Sequence, residues 1–182
     1  FAKEAFNCMV IKDLVSWNTI IMVLAQCEKI IEALKMFDEM LFCGYTPDRV
    51  TYMNLLDGIT CKTLLHHGSF IHSHIVASGL ESEIKVVTAL LSMYAKSGRL
   101  HHARQVFDKL ERRDVASWTA LITGYAHHGF LKEALTLFQA MRLEGLKSDV
   151  VVGTALITMY GKCGSIESAR KVFERLPKRD VI

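Results

Sequence analysis

Apolar positions recur along this chain at three- and four-residue spacing, in runs of about a dozen residues, which is the period of one helix face. Within Ile84–Asp114, Val87, Leu90, Leu91 and Tyr94 line one such face. Ser97-Gly98 interrupts it, and Leu100, Ala103, Val106, Phe107 and Leu110 resume the period. The stretch therefore predicts a helix, a tight break and a second helix. The pattern then returns: Thr88, Tyr94, Gly98, Ala103 and Phe107 are matched by Thr154, Tyr160, Gly164, Ala169 and Phe173, each 66 residues on. Fixed-period self-similarity marks a repeat array, and it outranks any single-residue motif.

A second pair of stretches shares the frame. Trp17, Ala33, Phe37 and Met40 are echoed by Trp118, Ala134, Phe138 and Met141. The units predicted are Leu14–Asp48, Arg49–Glu83, Ile84–Asp114, Val115–Asp149 and Val150–Asp180, of 35, 35, 31, 35 and 31 residues. Phe1–Asp13 reads as the second helix of a truncated unit, and residues 181–182 as the start of another. Asp13, Asp48, Asp114 and Asp149 precede first helices, where a carboxylate can cap free N–H groups. Gly44, Gly79 and Gly145 stand where the second helices of the long units end, a position at which glycine caps at low cost.

One register stays small: Ala33, Gly68, Ala103, Ala134 and Ala169 lie early in the second helices. Phe37, Phe107, Phe138 and Phe173 follow a turn later, with His72 in the remaining unit, and Met40, Ile75, Leu110, Met141 and Leu176 complete the stripe. Apolar residues at this spacing are core, and no isolated helix pair can bury them. Stacked pairs can. The expected fold is all-α, a right-handed α-solenoid of helix-turn-helix repeats.

Composition narrows the chemistry. The formal net charge is +3 and the pI about 8.6, which permits a polyanion partner without demanding one. Five cysteines with no CxxC pair argue against a disulfide framework and a zinc site, and fit a reducing compartment. No apolar run approaches a membrane span. The adjacent pairs His66-His67, His101-His102 and His127-His128 point about 100° apart on a helix and do not chelate as pairs. No nucleophile–base constellation recurs, and the zinc deaminase signature is absent. The expectation is no enzyme, no cofactor and no metal.

Two repeat families use paired helices near this period. The tetratricopeptide pattern W-x2-L-G-x2-Y is met by Trp118, Leu121 and Tyr125, but Ile122 stands at the glycine, as does Ile21 in the earlier unit. That family would imply a scaffold binding peptides or partner proteins, the alternative reading. The stretches VSWNTII, EALKMFDEM, TALLSMYAKSG and ARQVFDKLERRD resemble the pentatricopeptide repeats of plants. The alternating unit lengths resemble their PLS-type subfamily. In those terms Leu14–Asp48 and Val115–Asp149 are P-type, Arg49–Glu83 is L-type, and Ile84–Asp114 and Val150–Asp180 are S-type. The L-type unit that would stand between Val115–Asp149 and Val150–Asp180 is missing.

This resemblance implies sequence-selective binding of single-stranded RNA, one base per repeat. The base-reading residues would be Asn18 with Asp48, Thr88 with Asp114, Thr119 with Asp149 and Thr154 with Asp180. In the family Asn with Asp prefers uracil and Thr with Asp guanine, giving U, unassigned, G, G, G from 5′ to 3′. Met53, with Glu83, would leave its unit nearly mute. Val15, Val50 and Val151 would sandwich bases, whereas Lys85 and Ala116 depart from that pattern. Lys96 and Lys162 would meet phosphates. The same Asp, Thr and Asn residues also have a plain structural use as helix caps. The resemblance further implies an organellar transcript as partner, with other editing or processing factors and no membrane. It places such a protein in the mitochondrion or chloroplast, the targeting segment lying outside this stretch. This segment would supply the address rather than the catalysis.

Overall fold

In the computed structural model of the chain, residues 2–59, 65–147 and 149–175 are described. Asp180, Leu176 and residues 181–182 lie outside them. Among the described residues there are eleven α-helices and no strand. They are α1 Ala2–Cys8, α2 Leu14–Gln26, α3 Ile30–Phe42, α4 Arg49–Gly58, α5 Leu65–Ala77, α6 Ile84–Lys96, α7 Leu100–Asp108, α8 Val115–His127, α9 Leu131–Leu143, α10 Val150–Lys162 and α11 Ile166–Arg175. A 3-10 turn at Leu80–Ser82 precedes α6. The chain forms two compact units, Phe1–Met93 and Tyr94–Ile182.

The helices begin where the aspartates stand. Asp13, Asp48 and Asp114 each accept from the backbone N–H three residues on, and the side chains of Ser16, Thr51 and Ser117 return a bond to the cap's own N–H. This reciprocal cap closes two free donors at once. Asp149 accepts from Val152 N at 2.9 Å, but valine has no hydroxyl to return the bond. Four of the turns inside helix pairs use a left-handed residue at one register: Gly98, Gly129 and Gly164 at φ 75°, 82° and 72°, and Glu28 at φ 60°. At Glu28 the bonds Lys29 N to Leu24 O (2.9 Å) and Glu28 N to Ala25 O (3.2 Å) close the turn as they do after glycine.

In the first unit α2 packs on both α3 and α4. Ala33, Phe37 and Met40 are fully buried. Gly58 marks a close approach, since a Cβ there would lie 3.0 Å from Ala25 Cβ and 2.8 Å from Ile30 Cδ1. Trp17 meets Phe6 edge-on at 4.7 Å, and the Lys12 ammonium sits over the Phe6 ring at 5.2 Å.

The second unit repeats these motifs. Here α8 packs on α7, α9 and α10, and α10 on α11. Trp118 meets Phe107 edge-on at 4.7 Å, with the Arg113 guanidinium over that ring at 4.8 Å. Gly124 faces Ala95 as Gly58 faces Ala25, and its Cβ would come within 2.6 Å of Ala95 Cβ. The Phe stripe is not core throughout: Phe107 is buried, Phe138 half-buried, and Phe173 67% exposed. Among the described residues α11 packs chiefly on α10.

Candidate nucleic-acid interface

In two of the three 35-residue units, Leu14–Asp48 and Val115–Asp149, the residue one turn into the first helix and the aspartate that caps the next first helix are 30 residues apart in sequence, and stacking brings them together. Asn18 Nδ2 donates to Asp48 Oδ1 at 3.0 Å, and Thr119 Oγ1 donates to Asp149 Oδ2 at 3.0 Å. Asp149 thus spends one oxygen on capping Val152 and the other on Thr119. Asp48 Oδ1 accepts from Thr51 N and Asn18 Nδ2 at 3.0 Å each, and the Thr51 hydroxyl also lies 3.0 Å from it. Burial pushes the Asp48 carboxyl up, but those donors outweigh it and hold the group below its ordinary value.

Two of the base-reading residues that the resemblance implies are covered. Asn18 is only 8% exposed, because Thr51 and Asn54 of α4 close over it. The Thr88 hydroxyl is buried and finds no partner among the described residues. Thr119 is half-buried. Thr154 is exposed, and its hydroxyl donates to the Val150 carbonyl at 2.8 Å. Asp114 caps α8, accepting from Ser117 N at 2.8 Å. Met53 is half-buried, and Glu83 pairs with Arg49 at 3.0 Å.

The second residue of each first helix is exposed. Val15, Val50 and Val151 show 70%, 41% and 58% of their surface, and Lys85 and Ala116 are also open. Apolar side chains in such positions can meet a flat partner. Lys96 and Lys162 end α6 and α10, are exposed, and form no ion pair among the described residues. Their cations therefore remain available to an anion. Among the paired histidines, His102 stacks on Tyr94 and His128 Nε2 lies 3.0 Å from the Ala95 carbonyl oxygen. No group of three or more His, Cys, Asp or Glu side chains among the described residues could hold a metal ion. No helix there is long and apolar enough to cross a membrane.

The model of the PPR repeat family matches residues 12–61, and the PPR repeat model matches residues 86–115, 116–146 and 154–181. The chain belongs to the pentatricopeptide repeat family. This selects the pentatricopeptide reading over the tetratricopeptide one. A mitochondrial pentatricopeptide repeat-containing protein of Arabidopsis thaliana is 39% identical over 88% of this chain and 21% of its own length. A chloroplastic one from the same plant is 36% identical over 94% of this chain and 21% of its own. The chain thus spans about a fifth of the length of these relatives. Among solved structures, the pentatricopeptide repeat protein PPR10 in complex with an 18-nt psaJ RNA element matches with a TM-score of 0.82. It is 23% identical, with 94% of this chain and 26% of that one covered. Nuclear proteinaceous RNase P 2 of A. thaliana matches at 0.64, with 12% identity, 91% of this chain and 38% of that one covered. These likenesses identify the fold as an α-solenoid of pentatricopeptide repeats.

Within that family frame, sequence reading overlooked Thr51 and Asn54. Thr51 Oγ1 lies 2.6 Å from Asn18 Oδ1, and Asn54 Nδ2 donates to the Asn18 carbonyl at 3.2 Å. The D-x-x-S/T spacing signalled Thr51 as a cap partner. No local spacing signals its bond to a residue 33 positions earlier.

Proposed function

We propose that this chain binds single-stranded RNA sequence-selectively, one base per repeat, as the recognition segment of an organellar RNA editing or processing factor. The observation that carries the reading is the paired register: Asn18 with Asp48 and Thr119 with Asp149 form the same cross-repeat hydrogen bond. The RNA named with PPR10 and the organelles named with the relatives support the partner and the address.

The pairs differ in what they leave for a base. A carboxylate only accepts, and a threonine hydroxyl that donates to it keeps its lone pairs. Thr119 with Asp149 is therefore an all-acceptor edge, which suits the N1–H and N2–H donors of guanine. Asn18 keeps a second Nδ2 hydrogen, and beside the acceptor Asp48 it makes a donor–acceptor edge, which suits the carbonyl and N3–H of uracil. Thr154 with Asp180 and Thr88 with Asp114 belong to the guanine class. Met53 offers no useful hydrogen bond. The order read is U, unassigned, G, G, G. Val15, Val50 and Val151 hold bases on their apolar surfaces, and Lys96 and Lys162 meet phosphates. The segment positions RNA and performs no chemistry on it.

A salt titration with short RNAs tests the reading. Log affinity should fall linearly with log salt, at the shallow slope of a few phosphate contacts. A chain that binds no RNA, or binds with no base preference, contradicts it.

A further inference from the structure

Asn18 gives one Nδ2 hydrogen to the Asp48 carboxylate, and a second residue holds the rest of its amide. An amide has a donor end and an acceptor end, and whichever meets the base decides which base it suits. The fully buried hydroxyl of Thr51 lies 2.6 Å from Asn18 Oδ1 and 3.0 Å from Asp48 Oδ1. Its single hydrogen goes to the nearer oxygen. Thr51 Oγ1 also accepts from the Asp48 backbone N–H at 3.1 Å, so the hydroxyl is itself held in place. The amide is thereby gripped at both ends: Oδ1 by Thr51 and one Nδ2 hydrogen by Asp48. What remains for a base is the other Nδ2 hydrogen.

We propose that Thr51, on the first helix of the following repeat, is a positioning residue that fixes the Asn18 amide donor-outward and so sets the preference of the Leu14–Asp48 repeat for uracil over guanine. The assignment rests on the base-reading function proposed above. Without the hydroxyl, Oδ1 is an acceptor in a covered site with no donor, and unsatisfied buried acceptors are costly. The amide is then held by the Asp48 bond alone, and its second Nδ2 hydrogen is no longer fixed at the edge that a uracil carbonyl meets. The following repeat thus edits the code of the one before it. The contrast lies within the chain: Val152 stands at the Thr51 register beside Thr119 and Asp149, and supplies a backbone N–H but no hydroxyl.

The test is a competition between two RNAs that differ only in U or G opposite the Leu14–Asp48 repeat, on the full 182-residue chain. Thr51→Val removes the hydroxyl and keeps the shape. It should lower the U-to-G affinity ratio about three- to ten-fold, the worth of one hydrogen bond, while Thr51→Ser restores it. A second variant does not depend on how well Thr51→Val folds: adding Val152→Thr to Thr119→Asn should raise the U-to-G ratio at that repeat above that of Thr119→Asn alone. Equal weakening of both RNAs by Thr51→Val, with the ratio unmoved, would show a purely structural hydroxyl and overturn the assignment. A parent chain with no U preference at this base overturns the base-reading account itself, and this assignment with it.

Discussion

Trp118 and Glu144 form a bond that the equivalent tryptophan lacks. Trp118 Nε1 donates to Glu144 Oε2 at 3.2 Å, and Glu144 also takes Arg113 at 3.3 Å. Trp17 fills the same register, equally buried, yet its indole N–H has no partner among the described residues. Cys43 stands where Glu144 stands. Two repeats built on one plan thus differ by one satisfied donor.

That difference predicts opposite effects at the two positions. Glu144→Ala should cost about 1–3 kcal/mol by stranding the Trp118 N–H. Cys43→Gln should gain about 0.5–1.5 kcal/mol by giving Trp17 an acceptor. Glutamine is the better choice there, because Cys43 caps the end of α3 and a carboxylate would oppose the helix dipole. Urea unfolding midpoints of the two variants check both signs.

Glu28 holds φ 60° at the register where three other helix pairs have Gly98, Gly129 and Gly164. A side chain in that conformation costs roughly 1–2 kcal/mol, while glycine loses more chain entropy on folding, by roughly 0.5–1 kcal/mol. Glu28→Gly should therefore stabilise the chain by about 0.5–1 kcal/mol. Thermal unfolding of the variant beside the parent measures it.

The caps make stability sensitive to acid. The folded value of Asp48 lies below its ordinary 3.8. That of Asp13 is likewise lowered, chiefly by the Ser16 hydroxyl and backbone N–H. A depressed folded value means that the unfolded chain takes up the proton first, so falling pH favours unfolding. The contribution is complete above the ordinary carboxylate value and is lost as pH drops through the lowered one. Asp48→Asn removes that titration, and should flatten stability against pH between about 5 and 2 relative to the parent. Unfolding midpoints across that range provide the comparison.

The helices and their starts were legible because their signals are local. Apolar residues at three- and four-residue spacing, glycine at the breaks and aspartate at the caps all act within one or two turns. The relationship of Asn18 to Asp48 and of Thr119 to Asp149 was legible only through the family resemblance, which pairs one register with the next. The cover over Asn18 was not, because it depends on Thr51 and Asn54 from another helix. The buried hydroxyl of Thr88 was hidden for the same reason, since a threonine on the polar side of a helix carries no mark of its neighbours. Glu28 escaped notice because nothing in glutamate announces a left-handed turn. Only its alignment with Gly98, Gly129 and Gly164 does so.

The central claim is that the Thr119–Asp149 pair chooses a base. The most direct measurement is the affinity of Thr119→Asn for two RNAs that differ only in G or U opposite the Val115–Asp149 repeat. The account predicts a switch from G toward U while affinity for each variant's preferred RNA stays nearly the same. Equal weakening for both RNAs would mean that Thr119 serves the helix stack alone.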